Sequence, residues 1–174
     1  MQRAVVVSVV GPDRLGIVAA MSRVIFDLGC NFERIGSTII GGHFAMTMLA
    51  RCPDHVDPTT VGARLRAAGE ELDLQVAVRF VEAPSVAVPT HVVSLVSADK
   101  PGIVYRIADA LARLQVNILS LDLRTGGSDG ETRCSLDVSV SCPPEVDLER
   151  TLPPLSEELG TDVNVRAARG DRLG

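Results

Sequence analysis

The sequence is poor in aromatic residues and carries no excess of positive charge. It contains no tryptophan, one tyrosine and 3% aromatics in total, and its formal net charge is −5. Proteins that bind single-stranded nucleic acid usually stack bases on aromatic side chains inside a basic groove. RNA binding on a β-sheet likewise needs exposed aromatics and a basic sheet face, which this sequence does not supply. We therefore predict no direct binding of nucleic acid.

Metal-binding and catalytic motifs are also missing from the sequence. The four cysteines and three histidines are dispersed, with no CxxC pair or zinc-type spacing. The sequence has no Walker-type phosphate loop, nucleophile motif or closely spaced carboxylate pair. Cys52 and Cys142 each precede a proline, and we expect them to be small buried hydrophobes without chemistry. The sequence predicts a protein that is not an enzyme and needs no cofactor or metal.

Long hydrophobic runs are absent as well. The apolar run at residues 4–10 ends at Gly11 and Pro12, which makes it too short for a signal peptide or a membrane span. We predict a cytoplasmic protein with reduced thiols and no membrane association.

What the sequence does contain is an internal duplication. Residues 13–18, Asp-Arg-Leu-Gly-Ile-Val, recur as residues 99–104, Asp-Lys-Pro-Gly-Ile-Val, at an offset of 102 − 16 = 86 residues. The same offset pairs Asn31 with Asn117. A chain of this length can form two domains, each with its own core. We predict domains at residues 1–82 and 90–169, a linker at 83–89 and a tail at 170–174.

Each repeat has the same succession of hydrophobic patterns. A short β-branched run is followed by an apolar stripe at helical spacing, two segments that alternate with a period of two, a second helical stripe and a final short run. Gly41 and Gly42 mark a two-residue hairpin between the alternating segments of the first repeat. Pro153 and Pro154 are expected to shorten or kink the second helix of the second repeat.

The order of elements is therefore βαββαβ, twice. Right-handed crossovers place both helices of a repeat on one face of a four-stranded antiparallel sheet. We predict an α+β protein made of two ferredoxin-like units in tandem. Each sheet leaves an edge to be paired or protected, which favours side-by-side units and a homodimer.

The most specific local feature is the turn between the first run and the first helix of each repeat. Unpaired amides at a helix N-terminus can bind a carboxylate, and a glycine allows the ligand to approach the backbone. An aspartate in this turn could hold the ammonium group of an amino acid, and the asparagine after the helix could bind either end of the ligand. The candidate ligand-binding residues are Asp13, Leu15, Gly16, Ile17 and Asn31, with Asp99, Pro101, Gly102, Ile103 and Asn117 in the second repeat.

Simpler roles are open for the polar members of this set. Asp13 and Asp99 could serve only as helix caps. Asn31 and Asn117 could be turn residues between a helix and a strand. Replacing Asp13 and Asp99 by Ala would distinguish a purely structural role from ligand binding, since a scaffold should keep its partner and lose only helix-cap stability.

These motifs resemble the signature of the ACT family, an Asp-(Lys/Arg)-x-Gly turn before the first helix and an asparagine that opens the second strand. Both repeats match at both places. The tandem arrangement is most similar to the glycine cleavage system transcriptional repressor group. The resemblance implies binding of a small amino acid, with glycine or serine as the first candidates, at a domain interface.

The resemblance also implies control of a regulatory protein partner. We predict a non-catalytic amino-acid sensor that acts through protein contacts on a transcription regulator or a metabolic enzyme of glycine, one-carbon or amino-acid metabolism. Ligand binding would change the packing of two units or of two chains, and coupling of this kind is typically about 1 to 3 kcal/mol. The alternative is a ligand-independent interaction scaffold built from duplicated ACT units.

Overall fold

The computed structural model describes residues 3–82, 87–98, 101–127, 132–152, 154, 156–157 and 160–168. The chain divides into two compact units, Met1–Ser85 and Val86–Gly174. Each unit contains one four-stranded sheet, so the two ferredoxin-like units in tandem are confirmed. The tail at 170–174 and part of the linker at 83–89 lie outside the described residues, and these boundaries stay predictions.

Unit 1 has the predicted βαββαβ order. All strand pairs are antiparallel, and the strand order in the sheet is β2-β3-β1-β4. The elements are β1 (Arg3–Pro12), α1 (Ile17–Asp27), β2 (Asn31–Ile40), β3 (His43–Cys52), α2 (Pro58–Glu70) and β4 (Gln75–Val81).

Unit 2 repeats this topology, with the strand order β6-β7-β5-β8. Its α4 has only 4 residues, whereas α2 has 13. The predicted shortening before the two prolines is thus observed, because proline removes a helical hydrogen bond and restricts the residue before it. Pro153 itself lies outside the described residues. The elements are β5 (His91–Ala98), α3 (Ile103–Arg113), β6 (Asn117–Gly126), β7 (Arg133–Ser141), α4 (Leu148–Thr151) and β8 (Val163–Ala167).

Each unit buries an aliphatic cluster between its sheet and its helices. Alternate residues of the central strands face this core, as a period of two requires. The helical stripes predicted from the sequence supply the other side of the core. The buried residues of α1 are Ile17, Met21, Val24 and Ile25, and those of α3 are Ile103, Ile107 and Leu111.

Two of the four cysteines differ from the expectation of reduced thiols. Cys30, just before β2, and Cys52, the last residue of β3, form a disulfide. Their separation of 22 residues carries no local motif, and the β2-β3 hairpin brings them together. Cys134 and Cys142 are free and buried, which confirms the expectation of a small buried hydrophobe at Cys142. In the described part of the chain, no helix is long and apolar enough to cross a membrane.

Candidate functional site

The turn between β1 and α1 ends in a glycine with a left-handed backbone. Gly16 is the N-cap of α1 with φ +91°, and Gly102 is the N-cap of α3 with φ +92°. Their carbonyl oxygens accept from the N–H groups of Ala20 and Arg106, at 2.8 and 3.0 Å. Because side chains are disfavoured at this φ, glycine is required by the backbone in both units.

Asp13, in the turn between β1 and α1, does not cap α1. Neither α1 nor α3 has a side-chain hydrogen bond at its N-cap. Asp13 is exposed, and its backbone N–H donates to the carbonyl oxygen of Gly42 at 3.0 Å. The capping alternative therefore has no support at Asp13, whose carboxylate lies at the surface. Asp99 lies outside the described residues.

The apolar residues among the ligand-binding candidates differ in exposure: two lie at the surface and two lie in the cores. Leu15 is 100% exposed at the tip of the turn, and Pro101 is exposed at the equivalent place. Ile17 and Ile103 are buried in their cores, so their side chains are not available to a ligand. The first intrahelical bond of α1 is donated by Ala20, and the amides before it lie at the open end of the helix.

The structure places the asparagines far from the turns within each unit. Asn31 begins β2 and pairs with Arg51, which pairs with Ala4 near the start of β1. Asp13 follows the other end of β1, nine residues later, or about 30 Å at 3.3 Å per residue. Asn117 has the same position at the start of β6. Both asparagines are exposed, and neither can share a small ligand with the turn of its own unit.

β2 is an edge strand with exposed apolar side chains. Ile35 and Ile39 pair with the buried Met48 and Phe44 of β3, so they lie on the helix-covered face of the sheet. Ile39 nevertheless remains 58% exposed. In unit 2, Leu121 and Leu123 of the edge strand β6 are exposed in the same way. Edge strands of this kind present unpaired backbone groups and pair readily with a second strand.

A cavity of about 450 Å³ lies beside the first part of the turn in unit 1. It is lined by Pro12, His43, Glu70, Asp73 and Gln75, among others. Asp73 also receives an ion pair from Arg14, with 3.4 Å between Nη2 and Oδ2. Both partners are exposed, so this pair contributes little stability. The cavity offers a second location near the turn for a positively charged group.

Comparison with known proteins places these features in a family. Residues 3–79 match the family model for the ACT domain. A UPF0237 protein of Methanocaldococcus jannaschii is 46% identical over 76 residues, which cover 43% of this chain and 84% of the relative. The glycine cleavage system transcriptional repressor of Escherichia coli is 28% identical over 142 residues, which cover 80% of this chain and 74% of the relative.

The solved structures extend the likeness over the whole chain. A protein of unknown function from Galdieria sulphuraria is 26% identical, with a TM-score of 0.82, and the match covers 97% of this chain and 100% of that chain. The tandem sheets and the repeated turn are consistent with the similarity to these relatives. The chain belongs to the ACT-domain family.

Proposed function

We propose that the chain is a non-catalytic regulatory protein that binds a small amino acid between two ACT units. The observation that carries this proposal is the separation of the turn and the asparagine to opposite ends of one sheet. A site that uses both must take the turn from one unit and the asparagine from another.

The exposed edge strand provides a way to assemble such a site. When two β2 strands pair antiparallel about their centres, the Asn31 end of one lies opposite the Ile40 end of the other. Ile40 pairs with His43, which also pairs with Pro12 at the end of β1. Asn31 of one unit would thus come close to the turn of the next. The second unit belongs to a second copy of the chain in the proposed homodimer.

The polar groups at such an interface fit an amino acid. The amides at the start of α1 suit an α-carboxylate, and the Asp13 carboxylate suits an ammonium group. The amide of Asn31 can donate to one end and accept from the other. The name of the E. coli relative refers to glycine cleavage, which supports glycine or serine as first ligands and a regulatory protein as partner. We further propose that the protein acts in the cytoplasm.

A thermal-shift screen of the purified chain against the twenty amino acids tests this proposal. A ligand at 100-fold its dissociation constant stabilises its site by about 2.7 kcal/mol. For a chain of this size the melting temperature should rise by roughly 5 to 10 °C. We expect the shift for glycine, serine or another small group of amino acids.

Three variants then locate the site. Asp13→Asn and Asn31→Ala should each weaken or abolish the shift, because they remove contacts to different parts of the ligand. Asp73→Asn is the matched control, since it neutralises an exposed carboxylate of the neighbouring cavity. Loss of the shift in Asp73→Asn alone would place the ligand in that cavity and contradict an interface site.

The competing function is a ligand-independent scaffold. The left-handed φ of Gly16 and Gly102 favours it, because the backbone alone explains these repeated glycines. A well-folded chain that responds to none of the twenty amino acids, and keeps its partner when Asp13 is replaced, would establish the scaffold.

A further inference from the structure

Unit 1 contains a disulfide that unit 2 lacks the residues to form. Val116 stands at the position equivalent to Cys30, at the offset of 86, while Cys142 keeps the position of Cys52. The local backbone is the same in both units. The N–H of Cys30 donates to the carbonyl oxygen of Ile25 at 3.0 Å, and the N–H of Val116 donates to that of Leu111 at 2.9 Å. The difference is therefore one side chain, a cysteine in place of a valine, rather than a change of fold.

The disulfide lies directly at the candidate asparagine. Cys30 precedes Asn31 in the chain, and Cys52 follows Arg51, the register partner of Asn31. The covalent bond therefore ties the Asn31 end of β2 to the end of β3. Within unit 1, this end of β2 would otherwise be held by hydrogen bonds to a single strand, β3, because β2 is an edge strand.

The ladder between β2 and β3 is interrupted at the same place. The register shifts between Phe32 and Arg34, which leaves Glu33 in a bulge. A bulge removes a ladder hydrogen bond and increases local twist. Arg51 forms an ion pair with Glu33 across this bulge, and exposed ion pairs of this type are weak restraints. The disulfide is thus the strongest restraint on the segment that carries Asn31.

We propose that Cys30 and Cys52 form a redox-sensitive clamp that fixes the Asn31 end of β2 and thereby sets ligand affinity in unit 1. The link to affinity rests on the proposed function, whereas the clamp itself does not. Unit 2, with Val116, keeps an affinity that does not respond to redox conditions. One chain would then contain a redox-controlled site and a constant one.

The chemistry of the clamp is thiol-disulfide exchange with a low-molecular-weight disulfide such as oxidised glutathione. The Cys30 thiolate attacks one sulfur of that disulfide, forms a mixed disulfide and displaces the other sulfur as a thiolate. The Cys52 thiolate then attacks Cys30 Sγ and displaces the second thiolate. Two protein thiols are oxidised, the disulfide is reduced to two thiols, and the protons of the protein thiols go to the released thiolates or to water.

Burial sets the rate of this exchange. Cys30 is 8% exposed and Cys52 is 3% exposed, so the sulfurs react when the end of β2 opens. A ligand held by Asn31 keeps this end closed and should slow reduction of the disulfide. In unit 2, burial and the neighbouring carboxylates of Glu145 and Asp147 raise the pKa of the Cys142 thiol, which keeps it in its less reactive protonated form.

The clamp is tested on the full chain equilibrated in oxidised and in reduced glutathione. Intact mass and thiol alkylation report the crosslink, and hydrogen exchange reports the amides of residues 31–34. We expect exchange at these amides to be slower by at least about tenfold in the oxidised form. Cys30→Val, which copies unit 2, should remove the difference between the two buffers. Cys142→Val is the control and should keep it.

Two results would overturn the clamp. One is alkylation of all four thiols after equilibration with oxidised glutathione, and the other is equal exchange at residues 31–34 in both states.

A ligand titration distinguishes failure of the clamp from failure of the proposed function. Glycine and serine are titrated into the oxidised and the reduced chain. We expect tighter binding by about fivefold or more in the oxidised form, because Asn31 is held in place. Equal affinity in both states, with the disulfide formed, would overturn redox control and leave the proposed function intact. Slower exchange without binding of either amino acid would support the clamp and count against the proposed function.

Discussion

Two aspartates that precede helices in unit 1 have different roles, because one caps its helix and the other does not. The Asp57 carboxylate accepts a hydrogen bond from the N–H of Thr60 at 3.1 Å and caps α2. The side chain of Asp13 is exposed, and no side chain caps the start of α1. A helix start without a side-chain cap keeps its amides available to a ligand. This contrast supports the proposal of a ligand site near Asp13 rather than near Asp57.

The cap at Asp57 gives a pH-dependent contribution to stability. The hydroxyl of Thr59 donates to the Asp57 carboxylate, and the N–H and hydroxyl of Thr60 add to this, which lowers the pKa of Asp57 below its ordinary value of 3.8. A carboxylate whose pKa is lower in the folded state stabilises the fold above its unfolded pKa. This contribution is lost as the pH falls through the folded value.

We therefore predict different pH profiles for two substitutions of Asp57. Asp57→Ala should lower the melting temperature near neutral pH, and its difference from the native chain should shrink as the pH falls below about 4. Asp57→Asn keeps a capping side chain without a charge, so it should retain more stability at neutral pH. Melting curves measured from about pH 7 to about pH 3 check this. A constant difference across that range would contradict it.

At the element scale, most of the fold could be predicted from the sequence because its signals are local. The β-branched run before Gly11 became β1, the helical stripe from Ile17 became α1, and Gly41 with Gly42 became the β2-β3 hairpin. These assignments depend on periodicity and turn residues within a few positions. The duplication strengthened each one, since every pattern could be checked against its repeat.

The parts of the site that sequence patterns could not predict depend on how the strands pair. The sequence patterns predict that Asp13 and Asn31 contact one ligand, whereas the sheet register separates them to opposite ends of unit 1. The disulfide was missed because Cys30 and Cys52 become neighbours through the hairpin rather than through a motif. A register drawn from the βαββαβ order would have placed both cysteines at the same end of the sheet.

Packing between α2 and β4 gives a prediction for two glycines of the same helix. A Cβ added at Gly69 would lie 2.4 Å from Cγ2 of Val76 and 3.3 Å from the carbonyl oxygen of Leu74. Gly69→Ala should therefore destabilise unit 1 by about 1 to 3 kcal/mol, because β4 must move away.

Gly62 is the matched control in the same helix. Its added Cβ would meet only the end of the flexible Arg66 side chain, at 3.2 Å. Gly62→Ala should stabilise unit 1 by about 0.5 to 1 kcal/mol, since alanine favours the helix. Urea unfolding of both variants gives the two free energies. Equal effects of the two substitutions would contradict close packing of α2 on β4.

At the scale of the whole molecule, the two units share a topology and differ in chemistry. Unit 1 carries the disulfide and a full second helix, whereas unit 2 has Val116 and the short α4. The sheet face opposite the helices also differs. Ser94 of unit 2 donates to Asp137 there at 2.6 Å, while Thr47 and Leu49 occupy this face in unit 1. Such differences favour a division of roles between the units over two equal sites.

The exposed edge strand gives the prediction for assembly. Ile39→Lys places a charge on the β2 edge, where an exposed side chain can be replaced at little cost to folding. If two β2 edges pair between chains, this variant should shift the protein towards the monomer and reduce the thermal shift with amino acids. Phe26→Lys is the control, because Phe26 is 75% exposed on α1 and lies outside the edge strand.

Light scattering at micromolar concentration measures the outcome for the native chain and both variants. We expect the native chain and Phe26→Lys to be dimers and Ile39→Lys to dissociate. A native chain that is strictly monomeric would contradict the homodimer. Dissociation of Phe26→Lys with an intact Ile39→Lys dimer would move the interface from the β2 edge to the outer face of α1.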